Sequence, residues 1–472
     1  MVKRELYLKK IRPFVGTDVI KVITGMRRSG KSVLLEQIQE ELKTSNPQAR
    51  IFAVNLDDDE NKHFLEKGVL YAHLNKLLSE AGNEMVYLFL DEIHDVEEWE
   101  TAVNSLRMRK NADIYITGSN SKLLSGELAT YLTGRYVEIR VTPFSFAEFV
   151  EAARPIFPKE DATQLFNRYL MTGGVPFLAK LGYDQDACRA YLQDLYGAIL
   201  LKDVVRRKQI RDVDLLDRIV RFVMAECGHT FSARRIVDFL KGERRDTSVE
   251  TVLNYLSACE EAFLIARVPR QDLIGKRILA VDEKFYVTDT GIRNTVVRGS
   301  LRRDVDQLLE NIVYFEFLRR GYEISIGRIK EREVDFVCDK GAERLYVQVA
   351  FVLGGEETRQ REYAALEDVR SADGKLLLTM DRLDMSDGTI RHMYIPDFLK
   401  VREWAEKNGT SLNQFVRDCL EAKCAEIHDA QKRRAMEFKS FMESLPVVRA
   451  PKGWKFNRER DGHREIKIRV GS

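Results

Sequence analysis

The sequence predicts an α/β protein built on a parallel sheet, with a helical lid and smaller domains behind it. Three observations carry that reading. The apolar run "VIKVIT" leads directly into "GMRRSGKS", and a helical pattern follows. A second apolar run, "MVYLFLDEIH" (residues 85 to 94), ends in two carboxylates. Further strand-like runs, "ARIFAVNLDD", "ADIYITGSNS" and "RYVEIRV", alternate with helical stretches, the pattern of a parallel sheet with helical crossovers.

The first stretch fits G-x-x-x-x-G-K-[ST], the loop of P-loop NTPases, and it has the context that motif needs: strand, glycine loop, helix. The helix reads from Val33, Leu34, Leu35, Ile38 and Leu42 at helical spacing. Gly25 and Gly30 let the backbone curl, so that the N–H groups of the intervening Met26, Arg27, Arg28 and Ser29 face phosphate oxygens. The helix N-terminus at Lys31 to Val33 adds partial positive charge. Lys31 is expected to reach the β- and γ-phosphates and Ser32 to ligate Mg²⁺, making ATP and Mg²⁺ the expected cofactors.

The second run reads as a central strand buried on both faces. Asp91 at its carboxyl end stands where open α/β sheets bind ligands, and is expected to hold Mg²⁺ through water. Glu92 is then placed to orient and deprotonate the attacking water. His94 and Trp99 read as packing or partner residues. The strand ending at "TGSN" is expected between the loop strand and the acidic strand. Ser119 or Asn120 there either touches the γ-phosphate or its water, or forms a polar turn. Arg135, at the entrance to "RYVEIRV", is a candidate arginine finger, from its own chain or a neighbouring subunit. Arg27 and Arg28 are also at hand, though expected to project to solvent or a partner.

A chain of 472 residues is too long for one core and should hold about two to four domains. Its charges nearly cancel, to a formal +2, so only local patches can speak for or against nucleic acid. The six cysteines are scattered with no C-x-x-C pair, which suits a reducing cytoplasm better than a disulfide scaffold or zinc site. No apolar stretch approaches the roughly 20 residues of a membrane span. A cytoplasmic protein without a membrane partner is expected.

Together, "TGMRRSGKS", "LFLDEIH", "ITGSNSKLL", "LTGRYVEIRVTPFSFAEF", "TGGVPFLAK" and "KFYVTDTGIRN" resemble the prokaryotic AAA-type ATPases that carry a C-terminal domain of unknown function. The resemblance covers roughly residues 1 to 398. It implies an AAA-type ATPase domain with helical lid over 1–205, a winged-helix domain over 206–296, and a restriction-endonuclease-like domain over 297–398. Residues 399–472 are expected to form a helical, ribbon-helix-helix-like extension and a basic tail. Gly173, Gly174 and Pro176 of "TGGVPFLAK" either shape the edge of the nucleotide pocket or make a loop-to-helix turn.

From about 213 to 295 the pattern is three helices and a hairpin, with Ser232 and Thr247 as expected N-caps. In a helix-turn-helix unit the third helix would enter the major groove, but here it offers Glu250, Asn254 and Tyr255 and no basic residue. Arg244, Arg245, Arg270, Lys276 and Arg277 flank it, leaving phosphate contact open beside a purely packing role.

From 308 to 353, a helix bearing Glu310 leads to a strand with Asp335 and a return strand with Gln348 and Ala350, a layout that resembles restriction-endonuclease-like folds. Two carboxylates and an amide could hold Mg²⁺ through oxygen. Ala350 stands where that pattern has lysine, so the expected module is degenerate unless Lys330, Arg332 or Lys340 substitutes. Beyond 398, "SLNQFVRDCLEAKC" looks like the helical part of ribbon-helix-helix repressors and antitoxins, and the last residues are basic and polar.

Three readings of function follow. The first is an ATPase switch acting on DNA, RNA or a protein client, with a homo-oligomer in view. The second is an ATP-regulated nuclease. The third is a nucleotide-binding regulator whose tail binds an operator or a toxin.

Overall fold

The computed structural model describes residues 1–121, 134–275, 277–297 and 304–400, with the side chains of 277–282 left out. All but the first two residues of the tail expected over 399–472, Lys276, and the side chain of Arg277 therefore lie outside the described residues.

Five strands form the first sheet: β1 (Ile20–Thr24), β2 (Arg50–Asn55), β3 (Val86–Asp91), β4 (Ala112–Gly118) and β5 (Tyr136–Arg140). Their order is β2-β3-β4-β1-β5, and each pairing is parallel. The strand ending in "TGSN" thus lies between the loop strand and the acidic strand, as its sequence suggests. β1 and β4 are buried at every residue, and their two charged side chains, Lys21 and Asp113, pair with each other inside the sheet layer. Strand side chains alternate between faces. Leu88 and Leu90 pack on one side with Ile20, Val22, Leu74 and Val103. Phe89 faces the other, with Ile23, Tyr115, Leu34 and Ile38, and stacks on Tyr115 at a ring distance of 4.5 Å.

Helix α1 (Glu5–Ile11) and helix α2 (Lys31–Ser45) cover the second face; α3 (Val69–Ala81) and α4 (Trp99–Arg107) cover the first. Trp99 is a core residue there. The lid region follows as α5 (Phe146–Ala153), α6 (Ala162–Thr172) and α7 (Gln185–Ala198). Ser145 with Glu148, and Asp161 with Gln164, form capping boxes that start the first two. α7 runs on into a π-helical segment, Ile199–Val205.

Next come α8 (Val213–Ala225), β6 (Thr230–Phe231), α9 (Ala233–Gly242), α10 (Val249–Glu261), and the antiparallel pair β7 (Ile265–Asp272) and β8 (Arg277–Val287). Ser232 caps α9 by accepting from the Arg235 N–H, as expected. α10 is capped by Ser248, not Thr247; the Ser248 hydroxyl accepts from Thr251 N–H at 3.0 Å.

The last described elements are α11 (Thr290–Val296), α12 (Val305–Arg319), β9 (Glu323–Ile329), β10 (Arg332–Lys340), β11 (Glu343–Val349), α13 (Glu356–Glu367), β12 (Gly374–Thr379) and β13 (Ile390–Tyr394). Here the boundary expected at 296/297 does not separate two sheets. The strands from both sides of it make one eight-stranded sheet, ordered β13-β12-β11-β10-β9-β7-β8-β6. The join is a parallel pairing of β7 with β9, Arg270 opposite Ile326 through Asp272 opposite Arg328. A lone hairpin would leave one edge of β7 unpaired; β9 satisfies its backbone groups instead. Strand pattern in sequence marks where strands are but not which edges meet.

Among the described residues, no helix is long and apolar enough to cross a membrane.

Candidate nucleotide-binding site

The loop between β1 and α2 has a backbone that only its glycines allow. Gly25 sits at φ 146°, and a Cβ there would lie 2.1 Å from the Val141 carbonyl oxygen. Gly30, at φ 101°, turns the chain into α2, and a Cβ on it would come within 3.1 Å of an Arg4 nitrogen. Met26 and Ser29 are buried, Val33 is half-buried, and Ser32 and Arg28 are exposed at the loop surface. Arg4 braces the loop from beneath. Almost wholly buried, it donates to Ser29 O at 3.0 Å and Thr142 O at 2.8 Å, and pairs with Glu148 at 2.8 Å. Nothing in the sequence pattern around Arg4 marks it.

The carboxyl ends of β3 and β4 complete the site. Lys31 Nζ donates to the Gly25 and Met26 carbonyls at 3.1 and 3.4 Å and lies 3.3 Å from Glu92 Oε1. Asp91 accepts from the Thr117 hydroxyl and is hydrogen-bonded to Ser32. Burial raises the Asp91 pKa, against those hydrogen bonds. Glu92 has a left-handed backbone, φ 56°; its N–H donates to Thr117 Oγ1 at 2.8 Å, and its Oε2 accepts from Ser119 N–H at 3.2 Å. Burial works to raise the Glu92 pKa, but Lys31, His94 and Arg27 outweigh it and hold the group below its ordinary value. Glu92 is therefore an ionised carboxylate beside the loop lysine.

The lid supplies residues that sequence reading left without a role. Asp203, in the π-helical segment, is buried and pairs bidentately with Arg27, at 3.0 Å to Nε and 3.2 Å to Nη2. Arg27 thus does not project to solvent or a partner: a buried carboxylate on the lid draws it inward. Ser119 Oγ donates to Asp203 at 3.1 Å and accepts from Arg207 at 3.3 Å. Arg207 also meets His94 Nε2, while His94 Nδ1 lies 3.3 Å from Glu92. Burial lowers the His94 pKa, with Glu92 opposing. A continuous polar chain therefore runs from the loop lysine through Glu92, His94 and Arg207 to Asp203 and back to Arg27. Asn120 is buried just beyond, at the end of β4.

One expected feature falls elsewhere. Arg135 is not beside the loop of its own chain: its carbonyl accepts from Ile20 N–H at 3.0 Å, at the opposite end of β1 from Thr24. Four residue steps along the strand separate the two ends, about 13 Å. At Gly173 and Gly174 the second of the two expected roles, a tightly packed turn, is visible. A Cβ on Gly173 would meet Asp289 at 2.2 Å and one on Gly174 would meet Phe144 O at 2.3 Å, so close packing requires these glycines. Pro176 approaches the loop, 3.7 Å from the Cβ position of Gly30.

The second candidate cluster assembles Glu310, Asp335 and Gln348, all buried. Gln348 is turned away from ligand duty: its carbonyl accepts from Asp335 N–H at 3.3 Å and its amide donates to Glu362 at 2.9 Å. The expected substitutes for the missing lysine are not there. Lys330 lies in the turn between β9 and β10, Arg332 bonds Asp368 at 2.6 Å, and Lys340 bonds the Arg320 carbonyl at 2.7 Å. The cation present is Lys284 of β8, 3.0 Å from Glu310 and 2.7 Å from Glu333.

A family model described as an AAA domain matches residues 17–150, and one described as a domain of unknown function (DUF8612) matches residues 163–304. An uncharacterized protein of Haemophilus influenzae is 35% identical over 402 residues, spanning 84% of this chain and 98% of its own length. The uncharacterized protein MJ1544 of Methanocaldococcus jannaschii is 29% identical over 380 residues, 78% of this chain and 81% of its own. Among solved structures, the chain is similar to the STAND protein PH0952 of Pyrococcus horikoshii, with 14% identity, a TM-score of 0.28, and coverage of 68% of this chain and 47% of that one. It is also similar to the Aeropyrum pernix ORC1 protein solved with DNA, with 9% identity, a TM-score of 0.29, and coverage of 63% and 92%. C. elegans PCH-2 matches over 33% of this chain and 42% of its own, with 19% identity and a TM-score of 0.22. This chain spans under half of PH0952 and of PCH-2. With nearly the whole Haemophilus protein aligned, the chain belongs to that protein's family, and it carries an AAA domain of P-loop NTPase fold over residues 17–150.

Proposed function

We propose that the protein is an AAA-type ATPase that binds Mg-ATP at Gly25–Ser32 and converts its hydrolysis into movement of the lid. The observation that carries this reading is the convergence of Lys31, Ser32, Asp91 and Glu92 at the carboxyl ends of the sheet's interior strands. The residues fit such a ligand: a glycine cradle without room for a Cβ, a helix N-terminus, a hydroxyl bonded to a buried carboxylate, and an ammonium. Bound Mg²⁺ would neutralise charge developing on the phosphates.

In this reading Lys31 exchanges its contacts with loop carbonyls and Glu92 for phosphate oxygens. Glu92, released from the lysine, accepts a proton from the attacking water, while Thr117 and Ser119 keep it aimed. Ser32 and Asp91 hold the metal. Arg27, Arg207 and Asp203 link the loop to the lid, so a change at Glu92 alters contacts that hold the π-helical segment. The output goes to a nucleic-acid or protein partner. Among the basic residues beside α10, Arg245 pairs with Asp214 at 2.6 Å and Arg270 lies 3.8 Å from Glu333, which favours a packing or protein-contacting role for the three helices and hairpin of 213–287 over phosphate contact.

The experiment is calorimetry and phosphate release on three proteins. Lys31→Ala should abolish nucleotide binding. Glu92→Gln should bind ATP and lose turnover by about 100-fold or more. Unimpaired turnover in Glu92→Gln removes it as the base; wild-type behaviour of Lys31→Ala sinks the reading. Repeating the wild-type assay with DNA, RNA and candidate proteins identifies the partner class by stimulation.

A further inference from the structure

The cluster at Glu310 has a cation built into it. Lys284 and Tyr286 of β8, Glu310 of α12, and Glu333 and Asp335 of β10 converge, although β7 and β9 separate β8 from β10 in the sheet. Lys284 lies opposite Val268, whereas β9 joins β7 only from Arg270 onward, so the lysine sits beyond the end of that pairing. Its Nζ is 3.0 Å from Glu310 Oε2, 2.7 Å from Glu333 Oε1 and 3.7 Å from Asp335 Oδ1. An ammonium has three N–H donors and no acceptor, and here three carboxylates surround it.

Two of these carboxylates have further partners within the protein. Glu310 Oε2 also accepts from Tyr286 OH at 3.0 Å, and Asp335 Oδ2 accepts from Val349 N–H at 2.9 Å. Gln348 spends its carbonyl on the Asp335 N–H and its amide on Glu362. Ala350 belongs to an apolar cluster with Tyr363 and Leu366. Among the described residues, no three acidic, histidine or cysteine side chains are arranged to hold a metal ion; these carboxylates close on Nζ instead.

We propose that the ammonium of Lys284 is the resident cation of this cluster, standing where a divalent metal ion would otherwise be chelated. The wild-type cluster then takes no Mg²⁺ or Mn²⁺, and the module that carries it does not hydrolyse phosphodiesters. Held within 2.7 to 3.7 Å of three carboxylates, the ammonium fills the space a divalent ion would need between them. The inference is independent of the nucleotide reading, because the probe is applied without nucleotide.

The test uses Mn²⁺ on the full-length, nucleotide-free chain, followed by electron paramagnetic resonance and by thermal melting. Wild type should show no Mn²⁺ binding that Asp335→Asn removes, and no Mn²⁺-dependent cleavage of DNA or RNA. Lys284→Met should gain Mn²⁺ binding and a melting temperature that rises with Mn²⁺, and Lys284→Met with Asp335→Asn should lose both. Mn²⁺ binding or strand cleavage by wild type that disappears in Asp335→Asn overturns the proposal. So does a folded Lys284→Met protein that acquires no Mn²⁺. If Lys284→Met does not fold, the wild-type titration against Asp335→Asn still decides.

Discussion

Glu92 and Asp289 show how single carboxylates are set by what surrounds them. Glu92 keeps a left-handed backbone, which costs a non-glycine residue roughly 1–2 kcal/mol, and Thr117 and Ser119 hold it there. Thr117→Val should therefore misaim Glu92 and lower ATP turnover by as much as about 100-fold, with nucleotide affinity changed far less; steady-state kinetics beside calorimetry separates the two. Asp289 caps α11 and accepts from Gly174 N–H at 2.7 Å. Burial pushes it up from its ordinary 3.8 to about 6, against hydrogen bonds from Gly174, Ile292 and Gly291. Between those values the folded chain binds more protons than the unfolded one, so this residue's contribution to stability falls as pH rises through that window. The stability of wild type minus that of Asp289→Asn should shrink by on the order of 3 kcal/mol from pH 4 to pH 7, read by denaturant melts.

At the scale of elements, cap chemistry decides where helices begin. Ser248, one residue past the expected cap, bonds the Thr251 N–H at 3.0 Å. Ser248→Ala should cost about 1 kcal/mol in a urea melt, and Thr247→Ala almost nothing. The two candidates are adjacent hydroxyl residues of near-equal propensity, so sequence narrows the start to one turn and packing chooses. The loop, α2, β3 and the ordering of β4 between β1 and β3 were legible because their chemistry is contiguous: "GMRRSGKS" and "LFLDE" each carry pattern and purpose in one stretch. Asp203, Arg207 and Lys284 were not. Each acts on a site more than twenty residues away through tertiary placement, and none stands in a motif. The distance of Arg135 from its own chain's loop was hidden for a related reason: its proximity to the next strand was readable, but not which end of the sheet that strand enters.

Across the whole described unit, α12 carries two connections. Near its start Glu310 meets Lys284; at its end Arg319 donates to Thr142 Oγ1 at 2.8 Å. Thr142 in turn receives Arg4, which holds the Ser29 carbonyl of the nucleotide loop. One rigid helix thus touches the support of the loop and the acidic cluster of the second sheet. If ATP acts through it, nucleotide should slow hydrogen exchange in β10 and β11. Arg319→Leu should erase that slowing while leaving ATP bound; unchanged protection in the variant would show that this helix is not the link.

The pairing of β7 with β9 has a practical corollary for anyone who would take the protein apart. A protease nick between 297 and 304 should not release two independent pieces, because each would carry a raw ribbon edge that the other was made to zip against. The nicked halves should travel together through a sizing column. Expressed apart, each should clump until its counterpart is supplied.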